Sequence, residues 1–273
     1  MATRIDTQQR EAVLVEDAHP RGVMGVRVLE PLPSARIPYA MVDPFILVHE
    51  AVVRITPEQA GKDTKHQHRG FDNLWYALSG SASTGHSTGP GGAMERARLE
   101  PGSLLKLRTG RGVWHAEGIG RDELEEGGAG TEMRSILFWV NLARKDKGAE
   151  PSAQLLQPRD VPVRHEGDAA VRVLVGEGSP VELGTPGLVL DVELPNGGGF
   201  SSPIPSGFNA FVYVLDGEAA IGANRQRAAR SQIALLGSGD ALALKDADPG
   251  TRFVLMAGQP YGETPVFNGP FVD

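Results

Sequence analysis

The sequence contains no cysteine among its 273 residues. Disulfide bonds and thiolate chemistry are therefore excluded, and any metal that the chain holds must take nitrogen and oxygen ligands. The sequence also has no apolar run as long as a membrane-spanning helix, and its start, MATRIDTQQRE, lacks the apolar centre of a secretory signal. We therefore expect a cytoplasmic protein that does not insert into a membrane.

An excess of positive charge is missing as well. Asp and Glu number 34 and Lys and Arg number 27, which leaves a formal net charge of −7. Nucleic-acid surfaces need clustered Lys and Arg to bind phosphates, so this balance argues against direct contact with nucleic acid. The acidic balance remains compatible with a protein partner.

Long helical periodicity is scarce, and short apolar runs separated by turn residues take its place. The 35 Gly and 20 Pro are scattered along the chain rather than gathered in one tract. Apolar runs in the first half fall at 25–29, 45–53, 74–78, 104–107 and 136–142. Those in the second half fall at 171–175, 188–194, 210–215, 219–221, 233–236, 241–244 and 253–256. This spacing predicts an all-β fold, a sandwich or a barrel.

A polar stretch in the middle of the chain predicts a domain boundary. Residues 144–158, RKDKGAEPSAQLLQP, carry charge and proline with little periodicity. We therefore expect one domain over residues 1–143 and a second over 144–273.

A faint internal repeat favours two copies of one fold. The segment LWYALSG at 74–80 is similar to VYVLDG at 212–217, and PGSL at 101–104 is similar to SGDA at 238–241. An apolar strand that runs into a glycine turn also recurs in unrelated β proteins, so the repeat alone leaves that alternative open.

Two short segments carry the residues suited to metal chemistry. Alternate residues of a strand point to the same face, so His66 and His68 can converge on one point, and His115 and Glu117 have the same spacing. Three imidazole nitrogens and one carboxylate suit Fe(II), and such a set also accepts Mn, Ni, Cu or Zn. The alternative for each histidine is a hydrogen-bonded core residue or a surface residue.

The second half of the chain lacks this set. Its only histidine is His165, and the segment PSGFNA at 205–210, which matches HQHRGFD at 66–72, has neither imidazole nor carboxylate. We therefore expect a metal site in the N-terminal domain and none of that kind in the C-terminal domain.

Several longer segments resemble the pirin family in the order in which that family carries them. They are HQHRGFDNLWYALSG (66–80), GRGVWHAE (110–117), LFWVNL (137–142), VRVLVGE (171–177), NAFVYVLDG (209–217) and GPFV (269–272). The resemblance covers nearly the whole chain. It implies a bicupin, with two tandem jelly-roll barrels and one iron in the first. The implied ligands are His66, His68, His115 and Glu117.

The resemblance implies two kinds of function. Some pirins act as quercetin 2,3-dioxygenases on a flavonol, and others bind a protein partner in a metal-dependent, regulatory way. We favour the dioxygenase, in which Glu117 is both ligand and catalytic base. Regulatory binding is the second hypothesis, and a metal that only stabilises the fold is the third.

The chain departs from the family near the expected site. Pirins commonly read His-Arg-Asp-Ser where this chain reads Thr84-Gly85-His86-Ser87, and Gln-Trp-Met where it reads Leu-Lys-Leu at 105–107. These changes leave the four ligands intact but put the substrate in doubt. Strand alternation predicts that Lys106 and Arg108 face outward, and the Gly-rich surroundings predict a solvated His86.

Other residues near the expected ligands have two interpretations each. Asp72 stands where broader cupins place a carboxylate ligand, although pirins do not use that position, and we interpret it as a partner of the ligands. Trp75, Tyr76 and Trp114 either stack on an aromatic substrate or pack in the core. Arg69 points away from the metal on strand alternation and is expected to form a structural ion pair.

Overall fold

A computed structural model describes residues 8–54, 64–118 and 132–273. Its elements are strands and four single-turn 3-10 helices, at Tyr39–Met41, Pro90–Gly92, Arg144–Asp146 and Pro158–Asp160. None of the helices in these ranges is long and apolar enough to cross a membrane.

The strands of the first half are β1 (Ala12–Asp17), β2 (His19–Val23), β3 (Val26–Leu32), β4 (Phe45–Arg54), β5 (His66–His68), β6 (Phe71–Ser79), β7 (Ala82–His86), β8 (Glu95–Leu99), β9 (Leu104–Arg108), β10 (Val113–Gly118), β11 (Glu132–Asn141) and β12 (Ser152–Leu156). Those of the second half are β13 (Val163–Glu166), β14 (Ala169–Val175), β15 (Gly187–Leu194), β16 (Gly198–Pro203), β17 (Asn209–Asp216), β18 (Glu218–Ile221), β19 (Gln226–Ala229), β20 (Gln232–Leu236), β21 (Ala241–Ala247), β22 (Thr251–Gly258), β23 (Phe267–Asn268) and β24 (Phe271–Val272).

The chain forms two compact units, and neither is one contiguous segment. The unit that we name the N-terminal domain contains the described residues of His19–Ala35, Pro44–Val161 and Tyr261–Asp273. The C-terminal domain contains residues 8–18, Arg36–Asp43 and Pro162–Pro260. Each domain therefore includes a segment from the opposite end of the sequence. The domain boundary predicted between residues 143 and 144 stays a prediction. It assumed that each domain is one contiguous segment.

Both domains have a larger and a smaller sheet with the same strand order, except that the edge strand beside β9 comes from the end of its sheet's sequence (β12) and the edge strand beside β20 from the start (β1). The larger sheet has the order β12-β9-β6-β11-β4-β3-β2 in the N-terminal domain and β1-β20-β17-β22-β15-β14-β13 in the C-terminal domain. The smaller sheets have the orders β5-β10-β7-β8 and β16-β21-β18-β19. Compared position by position, β5 corresponds to β16 and β10 to β21. The prediction of an all-β protein with two tandem cupin domains is confirmed.

Of the two segment pairs that the internal repeat predicts to correspond, one corresponds in the structure. LWYALSG lies in β6 and VYVLDG in β17, and these strands occupy the same position in their sheets. The match of 101–104 with 238–241 was wrong, because the first turn opens β9 and the second opens β21, which belong to different sheets. A glycine turn before an apolar strand is too common in β proteins to set the register.

A buried ion pair at the same register marks the two domains as copies. Glu50 accepts a hydrogen bond from Arg134 at 2.7 Å, and Asp191 accepts two from Arg252 at 2.9 and 2.8 Å. Each arginine lies two residues before the cross-strand partner of the acid, since Glu50 pairs with Ile136 and Asp191 with Val254. Both acids are at most 2% exposed.

Candidate metal centre

The four predicted ligands meet on two adjacent strands. In the pairing of β5 with β10, His66 lies opposite His115 and His68 opposite Val113. The ring centroids of His66 and His68 are 4.5 Å apart, and those of His115 are 5.4 and 5.6 Å from them. Strand alternation therefore places the three imidazoles on one face, as the spacing predicts.

The donor atoms are separated as metal ligands are. The Nε2 atoms of His66 and His68 are 2.9 Å apart, and Nε2 of His115 is 2.8 Å from Oε1 of Glu117. Two bonds of about 2.1 Å at a right angle place their donor atoms about 3.0 Å apart. Each of the two pairs is therefore spaced as two ligands of one ion would be, and the donor set of three nitrogens and one oxygen suits a first-row metal.

Burial keeps the imidazole of His68 available as a ligand. His115 is 0% and His68 4% exposed. Burial, followed by the neighbouring His66 and His115, lowers the pKa of His68 to about 3, so its ring is neutral at neutral pH. A neutral imidazole is the form that binds a metal.

Glu117 differs from the histidines because its side chain is 32% exposed. Burial acts to raise the pKa of Glu117, but the hydrogen bond with His115 and the three imidazoles lower it overall. The carboxylate is therefore ionised, as a metal ligand must be, and it lies on the accessible side of the cluster.

Thr64 joins the two ligand strands, a role that sequence reasoning missed. Its carbonyl oxygen is 2.6 Å from Nδ1 of His66, and its hydroxyl donates to the carbonyl of Glu117. The first contact places the proton of a neutral His66 on Nδ1, which leaves the lone pair on Nε2 facing the cluster. The spacing of Thr64 two residues before His66 was the available signal.

Thr84 provides the acceptor for the outer nitrogen of His115, as Thr64 does for His66. Its hydroxyl donates to the carbonyl of Ala116 at 2.9 Å, so its oxygen can accept the Nδ1 proton of His115 across 3.5 Å. Thr84 lies opposite Glu117 in the pairing of β7 with β10. The sequence showed Thr84 only as a departure from the family.

Aromatic side chains surround His68, but they are mostly different from the expected ones. Trp139 lies 5.2 Å and Phe71 5.3 Å from the ring of His68, and the two stack at 4.1 Å. Trp75 belongs to the core of this domain. Trp114 is 43% exposed beneath the ammonium of Lys65, at 4.8 Å. Tyr76 is fully buried, and it neighbours Trp75 on a strand whose side chains alternate between faces.

Asp72 forms ion pairs with two cationic side chains rather than with the predicted metal ligands. Arg108 donates to its two carboxylate oxygens at 2.9 and 3.1 Å, and Lys106 lies 3.8 Å away. Asp72 is 0% and Lys106 9% exposed, so the prediction that the basic pair faces outward was wrong. The face that carries them is covered, and each charge is retained because it has a partner.

His86 is buried rather than solvated, which corrects the prediction made from its Gly-rich surroundings. It is 4% exposed and lies directly opposite His115 in the pairing of β7 with β10. Its Nδ1 is 2.8 Å from the Thr88 hydroxyl, which donates to Glu95 at 3.0 Å. His86 therefore lies on the same face as the cluster, and a hydrogen-bonded chain connects it to an exposed carboxylate.

The corresponding strands of the C-terminal domain carry apolar side chains. Phe200 on β16, Ile204 just beyond it, and Leu242 and Leu244 on β21 all belong to the core of that domain. His165 lies on β13, all of whose residues are exposed.

Comparison with known proteins decides the family. Residues 189–273 match the model of the pirin C-terminal cupin domain. Pirin from Rattus norvegicus is 35% identical over 239 residues, which cover 85% of this chain and 77% of that protein. The chain belongs to the pirin family.

Solved structures agree with this fold. The crystal structure of quercetin 2,3-dioxygenase from Acinetobacter baumannii has a TM-score of 0.84 and 24% identity, covering 96% of this chain and 91% of that one. The bacterial pirin YhhW from Escherichia coli, in complex with nickel(II), has a TM-score of 0.67 and 15% identity, covering 92% and 98%. At these identities the likeness concerns the fold.

Proposed function

We propose that this pirin is a metal-dependent dioxygenase that opens the ring of a flavonol such as quercetin, with Fe(II) held by His66, His68, His115 and Glu117. The observation that supports it most is that three imidazoles and one carboxylate lie on one face of two paired strands, with donor atoms 2.9 Å apart in the His66–His68 pair and 2.8 Å apart in the His115–Glu117 pair. The resemblance to pirins supplies the activity, and nickel bound by the related fold is consistent with a metal centre.

The metal would act as a Lewis acid toward a substrate hydroxyl and supply the redox chemistry with O2. Around it, Thr64 and Thr84 hold His66 and His115 with their Nε2 lone pairs toward the centre. Glu117 accepts the hydroxyl proton of the substrate. Its low pKa makes it a weak base, so this transfer requires a hydroxyl that is itself acidified.

The apolar wall beside His68 suits a planar aromatic substrate. Trp139 lies beside His68 and is partly exposed, with the fully buried Phe71 stacked on it, so the indole is the ring that can bind an aromatic molecule through contact area and offset stacking. Once the flavonol anion has formed, ring opening incorporates O2 and releases carbon monoxide.

The test is oxygen uptake by iron-loaded protein with quercetin. We expect one O2 consumed per quercetin by the wild type and none by His66→Ala. His165→Ala is the matched control, since His165 is exposed and lies in the other domain. Uptake by the wild type that does not exceed the His66→Ala background contradicts the proposal.

An iron-loaded protein that turns over no flavonol would favour the alternative, a non-catalytic regulatory protein that binds a protein partner. Capture of one defined partner only in a single oxidation state of the metal would then support that function.

A further inference from the structure

The three imidazoles of the cluster differ in what contacts their outer nitrogens. Nδ1 of His66 has the Thr64 carbonyl and Nδ1 of His115 has the Thr84 hydroxyl. Nδ1 of His68 is buried and has no hydrogen-bond partner at ordinary distance and angle. Because Nε2 of His68 faces Nε2 of His66, this Nδ1 points away from the centre. A buried donor without a partner is costly, so an acceptor is expected there.

The segment 267–273, which we call the tail, lies next to this imidazole. The backbone carbonyl of Pro270 acts on the His68 imidazole as a weak acceptor, which slightly opposes the lowering of its pKa by burial. The amide of Val272 donates to the carbonyl of Arg69 at 3.0 Å, directly after His68 in the chain. The approach is so close that a Cβ at Gly70 would overlap the carbonyl oxygen of Val272, which explains the glycine there.

Two cationic side chains hold the tail in place. Arg69 donates to both carboxylate oxygens of Asp273, at 2.6 and 2.8 Å, which is the ion pair expected from the sequence. Lys147 donates to the carbonyls of Val272 at 3.1 Å and Gly70 at 2.8 Å. The tail is thereby bound on both sides of the backbone that follows His68.

We infer that the tail is a positioning element for the metal centre: it presents the Pro270 carbonyl as the acceptor for the Nδ1–H of His68, and the Arg69–Asp273 pair keeps it there. Ligating histidines generally donate their outer N–H to a carbonyl or carboxylate, which fixes the ring and strengthens the ligand. The inference rests on the proposed metal centre.

The test is the dissociation constant for Ni(II), measured by calorimetry on the full chain. Asp273→Asn is the informative variant, because Asp273 belongs to the tail itself and its carboxylate contacts Arg69 rather than a ligand side chain. We expect its affinity to fall about threefold, the scale of an exposed ion pair, and Asp273→Lys, which repels Arg69, to weaken binding further. Arg69→Met should weaken binding as Asp273→Asn does, and the double variant should be no weaker than Arg69→Met.

Arg225→Met is the matched control. It removes an exposed Arg–Asp pair, with Asp246, in the other domain and should leave Ni(II) affinity unchanged. Wild-type affinity in both Asp273 variants overturns the inference. So does a loss confined to Arg69→Met, since Arg69 would then act through its neighbour His68 and not through the tail.

A second measurement needs no metal. In the metal-free protein, His68→Ala should speed hydrogen exchange at the Val272 amide while the Ile136 amide, in the sheet centre, keeps its rate. Unchanged exchange at Val272 overturns the inference. If the wild type binds no Ni(II), the proposed function fails, whereas this exchange measurement still decides whether the tail and His68 are coupled.

Discussion

The two domains share the arrangement of their sheets and differ in the residues on two strands of the smaller sheet. Strand order is the same in both except at one edge of the larger sheet, and a buried carboxylate–arginine pair occurs at the same register, as Glu50–Arg134 and as Asp191–Arg252. On the corresponding strands of the smaller sheets, however, the N-terminal domain has imidazoles and the C-terminal domain has Phe200, Leu242 and Leu244.

The difference separates what the fold requires from what the chemistry requires. Apolar side chains in the C-terminal domain contribute burial, which stabilises the domain at about 25 cal/mol per Å². Imidazoles in the same place contribute less apolar area and need partners for their outer nitrogens. Thr64 and Thr84 are therefore requirements of the site rather than of the fold.

The largest effect is expected at the shared ion pair. Arg134→Met leaves Glu50 buried without its arginine partner and should lower the free energy of unfolding by about 3–5 kcal/mol. Arg252→Met should cost less, because Arg172 lies 3.4 Å from the same Asp191 carboxylate. Urea unfolding measures both. Equal losses would show that Arg172 contributes nothing.

The two domains need different probes. The chain has three tryptophans, Trp75, Trp114 and Trp139, and all lie in the N-terminal domain, so their fluorescence follows Arg134→Met, whereas calorimetry of the whole chain follows variants of the C-terminal domain. Arg225→Met, which removes an exposed pair, should shift unfolding by less than about 1 kcal/mol.

The next effect concerns the ligands. His115→Ala should weaken Ni(II) binding by more than about 100-fold, beyond the loss expected for an outer partner. Ser202→Ala, on strand β16 of the other domain, which corresponds to the ligand strand β5, should leave binding unchanged. Metal content after dialysis, measured by elemental analysis, checks both. Retention of one equivalent by His115→Ala would remove His115 from the ligand set.

A smaller effect is expected at Thr84. Thr84→Val removes the acceptor for Nδ1–H of His115 and should weaken Ni(II) binding about tenfold. Thr84→Ser keeps the hydroxyl and should bind as the wild type does. The same calorimetric titration distinguishes them, and equal affinities for all three proteins would assign Thr84 a purely structural role.

The smallest effect is a pH dependence confined to one domain. The pKa of His68 is about 3 in the folded protein and about 6.5 when unfolded, so the unfolded chain binds the extra proton between these values. Stability of the metal-free N-terminal domain should therefore fall as pH drops below 6.5, by about 1.4 kcal/mol per pH unit for this group. Tryptophan-detected unfolding at pH 7 and 5.5 checks it. An unchanged midpoint would contradict a neutral, buried His68.

Local periodicity predicted the all-β class and the shared face of each ligand segment, whereas the resemblance to pirins supplied the bicupin fold and the set of four ligands. The alternation in His66-Gln67-His68 and His115-Ala116-Glu117 is a property of any strand. The pairing of the two strands then places His66 opposite His115. Alternation does not tell which face is covered, which is why Lys106 was assigned to solvent while Asp72 binds it.

The features of the site that sequence reasoning missed depend on contacts between residues far apart in the chain. Trp139 contacts His68 from a strand about seventy residues away, and Arg69 and Asp273 are separated by 204 positions. No local pattern marks such pairs. His86 was misassigned because a glycine-rich neighbourhood was taken as a loop, whereas β7 continues to His86 itself.

The exchange of terminal segments between domains has a consequence for synthesis on the ribosome. The N-terminal domain includes Tyr261–Asp273, so it cannot be completed when Val161 emerges. Its sheets can form early, but the strip of backbone that contacts His68 arrives only after the whole C-terminal domain has been translated. Nascent chains truncated before residue 261 should therefore carry the four ligand side chains without the backbone that lies against one of them.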